Sequence, residues 1–98
     1  MTDNSYVKSF RRTPIALEAF RFTPLQQAEL AEWCGGQVSV VPLKEDDNSI
    51  ELVIVLETED GLTMAHVGDY VIKGIAGDFY PCKSEIFHSL YEEIVDGS

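Results

Sequence analysis

An α+β domain built on an antiparallel sheet of five or six strands is what this 98-residue sequence predicts, from three observations. Short β-branched and aromatic runs recur between residues 14 and 80. Turn dipeptides separate the later ones at Asp60-Gly61, Gly68-Asp69 and Ala76-Gly77, and reversals this close together suit antiparallel neighbours, since parallel strands need long crossovers. One segment, 24–34, combines a helical apolar stripe with start and stop signals. The expected architecture is a meander curled around or against that main helix, with a short second helix; these residues leave open whether the sheet closes into a barrel.

The first strand falls at 14–22, rich in apolar and aromatic residues. Thr23 then suits an N-cap, Pro24 the first helical position and Gln26 the reciprocal capping-box site. Leu25, Ala28, Leu30, Ala31 and Cys34 make the stripe, and Gly35 supplies the left-handed residue that ends it. Strands follow at 37–43 and 50–58 with a polar loop at 44–49 between them, and Leu52-Val53-Ile54-Val55-Leu56 reads as buried on both faces. Asp60-Gly61 predicts a type I′ hairpin, with positive φ at both residues, into a strand at 62–67. Further strands are expected at 70–75 and 78–80, where Pro81 ends the ladder by removing a donor. Ser84 caps a short helix to about His88, and Ile86, Phe87, Leu90, Tyr91 and Ile94 fit helical spacing beyond it.

The length and an apolar content of 45% predict one folded domain, 13–98, behind a loosely ordered basic leader, 1–12. The net charge of −10 is the compositional outlier, and it is uneven. Residues 1–21 hold four of the seven cations (Lys8, Arg11, Arg12, Arg21) and two of the seventeen acids, so 22–98 carry a net −12. A body this acidic disfavours direct nucleic-acid binding and anionic membrane surfaces. Two cysteines, no signal-peptide pattern and no apolar run of spanning length predict a reduced, cytoplasmic protein.

Catalytic and metal signatures are weak. Cys82, beside Lys83 and near a helix start, is the one candidate nucleophile, because a helix N-terminus and a cation both favour a thiolate; a base would have to come from His66 or His88 through folding. Cys34, His66, Cys82 and His88 are too far apart in sequence to preassemble a zinc site, so no metal or cofactor is expected. His66 reads as a hydrogen-bonded sheet histidine. Asp60, Asp69 and Asp78 each sit beside a glycine in a turn, where local hydrogen bonding accounts for them, and 44–49 reads as a solvated loop. No phosphate-binding glycine motif is present. The candidate ligand or partner surface is Tyr70, Lys73, Tyr80, Cys82 and Lys83, since a phenol offers an apolar face and a polar tip and alternation turns Tyr80 away from Phe79.

The blocks Gly68-Asp69-Tyr70-Val71-Ile72-Lys73-Gly74 and Gly77-Asp78-Phe79-Tyr80-Pro81-Cys82-Lys83, with Ile86-Phe87 and Tyr91-Glu92, resemble the C-terminal half of a family of small, uncharacterised bacteriophage and prophage proteins. The early strand at 14–22 and the helix end Trp33-Cys34-Gly35-Gly36 are similar to the same family, so the resemblance spans most of 13–92. It implies a phage origin, a compact α+β domain and a final strand at 90–95, where this chain has Glu93-Ile94 in place of the family's proline-containing pattern. It carries over no activity and no catalytic residue. The expectation is a non-enzymatic accessory protein of the host cytoplasm that binds a host protein or a small metabolite and self-associates. A nucleotide-like metabolite would need Arg11, Arg12, Arg21, Lys73 or Lys83 in its cleft. The alternatives are an acidic nucleic-acid mimic that blocks a host DNA- or RNA-binding protein, which needs its acids on one face, and a small enzyme using Cys82.

Overall fold

The computed structural model describes residues 6–11, 14–43 and 46–94, with the backbone alone at 46 and 47. In chain order the elements are β1 (Glu18–Arg21), a 3₁₀ turn (Pro24–Gln26), α1 (Gln27–Cys34), β2 (Gln37–Leu43), β3 (Asp46–Thr58), β4 (Gly61–His66), β5 (Tyr70–Lys73), β6 (Phe79–Cys82) and α2 (Ser84–Leu90). The fold is α+β, as expected, and its six strands are all antiparallel. They form two sheets of three, ordered β2-β3-β4 and β1-β5-β6, and among the described residues neither closes into a barrel.

The meander breaks between β4 and β5 because the chain is captured there by the end of β1. Gly68, at φ +98, takes a backbone conformation that side chains disfavour and turns the chain out of the first sheet. Its N–H donates to the Phe22 carbonyl at 2.9 Å, and the Phe22 N–H donates to the Asp69 carbonyl at 2.8 Å. Asp69 holds this corner. Its Oδ2 accepts the His66 N–H at 2.9 Å, and its own N–H donates to the His66 carbonyl at 2.9 Å. β5 therefore pairs with β1, Phe20 opposite Val71, instead of returning along β4.

The helix starts and stops where its signals stand, but its first turn is 3₁₀. The Thr23 hydroxyl donates to Gln26 Oε1 at 3.1 Å, and no side-chain cap to the backbone forms. A 3₁₀ turn advances three residues per turn, so residues 24–26 fall out of phase with α1. Leu25 is left 95% exposed and Ala28 is also exposed, which corrects the expected stripe; the buried face is Leu30 and Cys34, flanked by half-buried Gln27 and Ala31. Gly35 ends α1 at φ +69. Gly36 then lies against β3 so closely that a Cβ would stand 2.6 Å from Ile54 Cγ2 and 3.0 Å from the Val55 carbonyl oxygen.

The core lies between the two sheets and α1. Phe22, Leu30, Cys34, Ile54, Leu56, Ala65 and Val71 form it, with Phe20, Trp33, Leu52 and Phe79 packed around them. β3 is buried on both faces at its centre, as its apolar run requires: Val53, opposite Ser39 and His66 in register, is as completely covered as Ile54.

Several boundaries differ from expectation for identifiable reasons. β3 begins at Asp46, so β2 and β3 form a long hairpin where a 44–49 loop was expected; residues 44–45 lie outside the described ones. Only Asp46 of this stretch is paired, with Leu43; the register shift between Pro42 and Leu43 leaves 47–49 between that pair and Pro42–Ile50. At the β3–β4 turn no described non-glycine residue has positive φ, and Gly61 alone sits at +113, which excludes the type I′ geometry. β5 ends at Lys73, before the expected Ile75. β6 runs through Pro81, which pairs with Val71; an edge strand tolerates proline because the missing donor can face away from the ladder. Lys83 rather than Ser84 stands at the N-cap of α2 and makes no side-chain cap; the helix extends to Leu90, and residues 91–94 join no strand, which corrects the expected final strand as far as it is described. Of the leader, 6–11 are exposed and enter no helix or strand, and residues 1–5 and 12 lie outside the described ones.

Urea unfolding should rank the helix positions by burial. Leu30→Ala is expected to cost about 2–5 kcal/mol, and Leu25→Ala no more than about 0.5 kcal/mol. Equal losses would mean that the stripe runs unbroken through 24–26. Gly36→Ala should cost about 1–3 kcal/mol by overpacking against β3.

Candidate functional site

Successive side chains on a strand point to opposite faces, so the β1-β5-β6 sheet has an inner and an outer surface. The rows Phe20–Val71–Pro81 and Glu18–Lys73–Phe79 face the core. The rows Ala19–Ile72–Tyr80 and Arg21–Tyr70–Cys82 face outward. On the inner side Trp33 bridges Phe20 and Phe79, with ring centroids 5.8 and 5.0 Å away. On the outer side Tyr70 lies flat on Phe87, centroids 3.9 Å apart and planes 7° apart, and Phe87 stacks on Tyr91 at 5.1 Å. The Tyr70 hydroxyl is 3.3 Å from His88 Nε2. This aromatic ladder docks α2 on the outer surface.

An open groove of about 930 Å³ runs between the ladder, β1 and the extended residues 14–17. Ile72, Ile15, Tyr70, Phe87 and Tyr91 give it apolar walls, and a volume of this size is within the range of small-ligand sites. Its charges are Glu18, Glu92 and Glu93 against Arg21, so it does not suit an anionic ligand. A second cleft, about 540 Å³, lies between the β3–β4 turn and β6; Tyr80 lines it, and Glu59, Asp60 and Asp78 make it acidic. Tyr80 also closes over Gly74, where a Cβ would stand 3.3 Å from Tyr80 Cε1.

The five expected site residues therefore divide. Tyr70, Tyr80 and Cys82 share the outer surface, Tyr70 directly across the ladder from Cys82. Lys73 is on the inner-facing row beside Glu18 and Phe79, and Lys83 is exposed at the N-cap of α2. Of the cations that an anionic metabolite would need, only Arg21 lines the larger groove and none lines the smaller cleft.

Cys82 does not have the environment of a nucleophile. Partial burial raises its thiol above the ordinary cysteine range, and the Asp69 carboxylate raises it further. Its Sγ donates to the Lys83 carbonyl at 3.6 Å. Cys34 is raised too, chiefly by burial, with backbone contacts at Gly36 pulling partly back. The two cysteines are free thiols, and among the described residues no group of three His, Cys, Asp or Glu side chains could hold a metal ion. His66 is the hydrogen-bonded sheet histidine that its strand position suggests: its Nδ1 lies 2.7 Å from Glu51 Oε1, and that carboxylate comes from β3 rather than from a sequence neighbour.

Phe87, His88 and Tyr91 belong to the site although none was among the expected site residues. The signal for two of them was present: aromatics four apart on a helix share one face. A scan against protein-family models, a search of curated proteins and a search of solved structures each found no match to this chain.

Because both thiols are harder to ionise in the fold, alkylation of Cys82 at pH 7–8 should be slower than that of free cysteine, and should accelerate only as the pH rises past the ordinary thiol range. The same shifts mean that the stability the thiols contribute is present below the unfolded thiol pKa and is lost as the pH rises through the folded one. Rapid modification at neutral pH would show that a thiolate is stabilised after all.

Proposed function

We propose that this chain is a small, non-enzymatic binding protein of bacteriophage type that works in a self-associated form on a host protein. The phage origin rests on the sequence resemblance alone. The observation that carries the binding reading is surface. The chain exposes 8205 Å², whereas a compact monomer of its mass exposes about 5,600 Å². Its Cα radius of gyration is 17.4 Å, against about 13 Å for a compact domain of this length. Residues 6–11 and 14–17, which enter no helix or strand and are almost all exposed, account for part of the excess. It also includes apolar side chains that a monomer leaves in water, among them Ile50 at 70% and Leu62 at 76% exposure. Exposed apolar surface beyond the usual amount marks interaction sites.

A protein partner fits better than an anionic metabolite, because both clefts are open and carry more acids than cations. The enzyme alternative loses support from the raised thiol of Cys82 and from the engagement of His66 with Glu51 and His88 with Tyr70. The mimic alternative is weakened by where the acids lie. Exposed Glu29 and Glu32 are on α1, Glu85 is on α2, and Glu59 and Asp60 are at the β3–β4 turn, whereas a mimic needs one acidic face.

Light scattering on the purified chain at micromolar concentration should give at least twice the 10.9 kDa chain mass, and immobilised protein should retain a defined partner from host lysate. A strict monomer that retains nothing would remove the reading.

A further inference from the structure

We propose that two copies of this chain join edge to edge through β2, antiparallel about a twofold axis, so that two three-stranded β2-β3-β4 sheets become one sheet of six strands. The inference rests on the self-associating reading above and names the surface that performs it. A strand at the edge of a sheet offers a row of unpaired N–H and C=O groups, and proteins usually blunt it with charge, proline or cover. The four edges of this fold differ in that respect. β1 carries Glu18 and Arg21 within four residues. β6 carries Pro81 within four residues, and β4 packs close to β6. β2 is the longest edge strand, seven residues, and none of Gln37-Val38-Ser39-Val40-Val41-Pro42-Leu43 is ionisable, in a chain of net charge −10. Among the described residues, β2 makes no backbone hydrogen bond outside its ladder with β3.

The absence of charge and the exposed apolar side chains of the hairpin both favour a second copy as the occupant. Two bodies this acidic repel each other, and the charge-free strand is where they can approach closely. Val38, Val40 and Ile50 lie on the core-side face of the hairpin, where Val38 pairs with buried Ile54, but they extend beyond the cover of α1 and are 36%, 54% and 70% exposed. Strand pairing would bring the two copies' apolar extensions side by side. Pro42 and the register shift between Pro42 and Leu43 limit the pairable edge at its far end. A twofold contact uses the same edge on both copies, so the assembly closes as a dimer and does not grow into a fibre.

Sedimentation equilibrium of the wild type, Val40→Lys and Ile75→Lys tests this. Wild type and Ile75→Lys should be dimers at tens of micromolar. Val40→Lys sets two ammonium groups against each other near the axis and should weaken association at least 100-fold, with an unchanged far-UV spectrum. A folded Val40→Lys dimer would overturn the β2 interface while leaving self-association standing, and a monomeric wild type would overturn both. A wild-type dimer in which a peptide of residues 6–11, or a foreign strand, occupies β2 in place of the second copy would also overturn the proposal. Should Val40→Lys fail to fold, amide exchange of wild-type 37–41 at two concentrations decides: slowing on concentration supports the dimer, and no change rejects it.

Discussion

Burial on both faces of one four-residue strand is the constraint on which the rest of this structure depends. Val71 and Ile72 are neighbours on β5, point in opposite directions, and are 0% and 1% exposed. A short central strand of this kind needs a cover on each side. α1 and the β2-β3-β4 sheet supply the inner one, with Trp33 set between Phe20 and Phe79. On the outer side α2 lays Phe87 on Tyr70, which shares that face with Ile72. The Gly68-Asp69 corner makes the arrangement possible, because it hands the chain from β4 to β1 and so places β5 in the middle of a second sheet.

How much of this was legible in the sequence depended on whether the cause was local. Gly35 stopped α1 and Gln37–Leu43 formed β2 as read, because a left-handed residue and a β-branched run act through their own backbone. The both-face burial of β3 was also visible, in an apolar run with no alternation. The partition into two sheets was not. Gly68-Asp69 has the composition of a hairpin turn, and only the tertiary bonds to Phe22 make it a corner. Leu25 was misassigned because nothing in its type reveals that Pro24–Gln26 winds as 3₁₀ and rotates it into solvent. Pro81 was read as a strand end because the sequence does not say that β6 is an edge.

The candidate site has the same mixture of local and tertiary causes. Tyr70, Tyr80 and Cys82 emerged together because strand alternation and the β5–β6 pairing place them on one surface. Lys73 went to the other surface by the same alternation, so the basic element of the expected site is dispersed. Cys82 precedes a helix, but α2 has only seven residues, and burial together with Asp69 outweighs any favourable effect of its terminus. Tyr70, one of the two phenols read as a ligand surface, is stacked on Phe87, which assigns it first to holding α2 in place. The surface left over is apolar strand edge and acid-lined groove, and the proposals of protein binding and self-association follow from that remainder.

Amide hydrogen exchange on the intact protein addresses the double cover of β5 most directly. The Val71 and Ile72 amides should exchange as slowly as those of Val53 to Leu56 at the centre of β3, through opening of the whole fold. If 71–72 exchanged orders of magnitude faster than 53–56 under the same conditions, α2 would not be seated on the outer surface, and the account built on that seating would be contradicted.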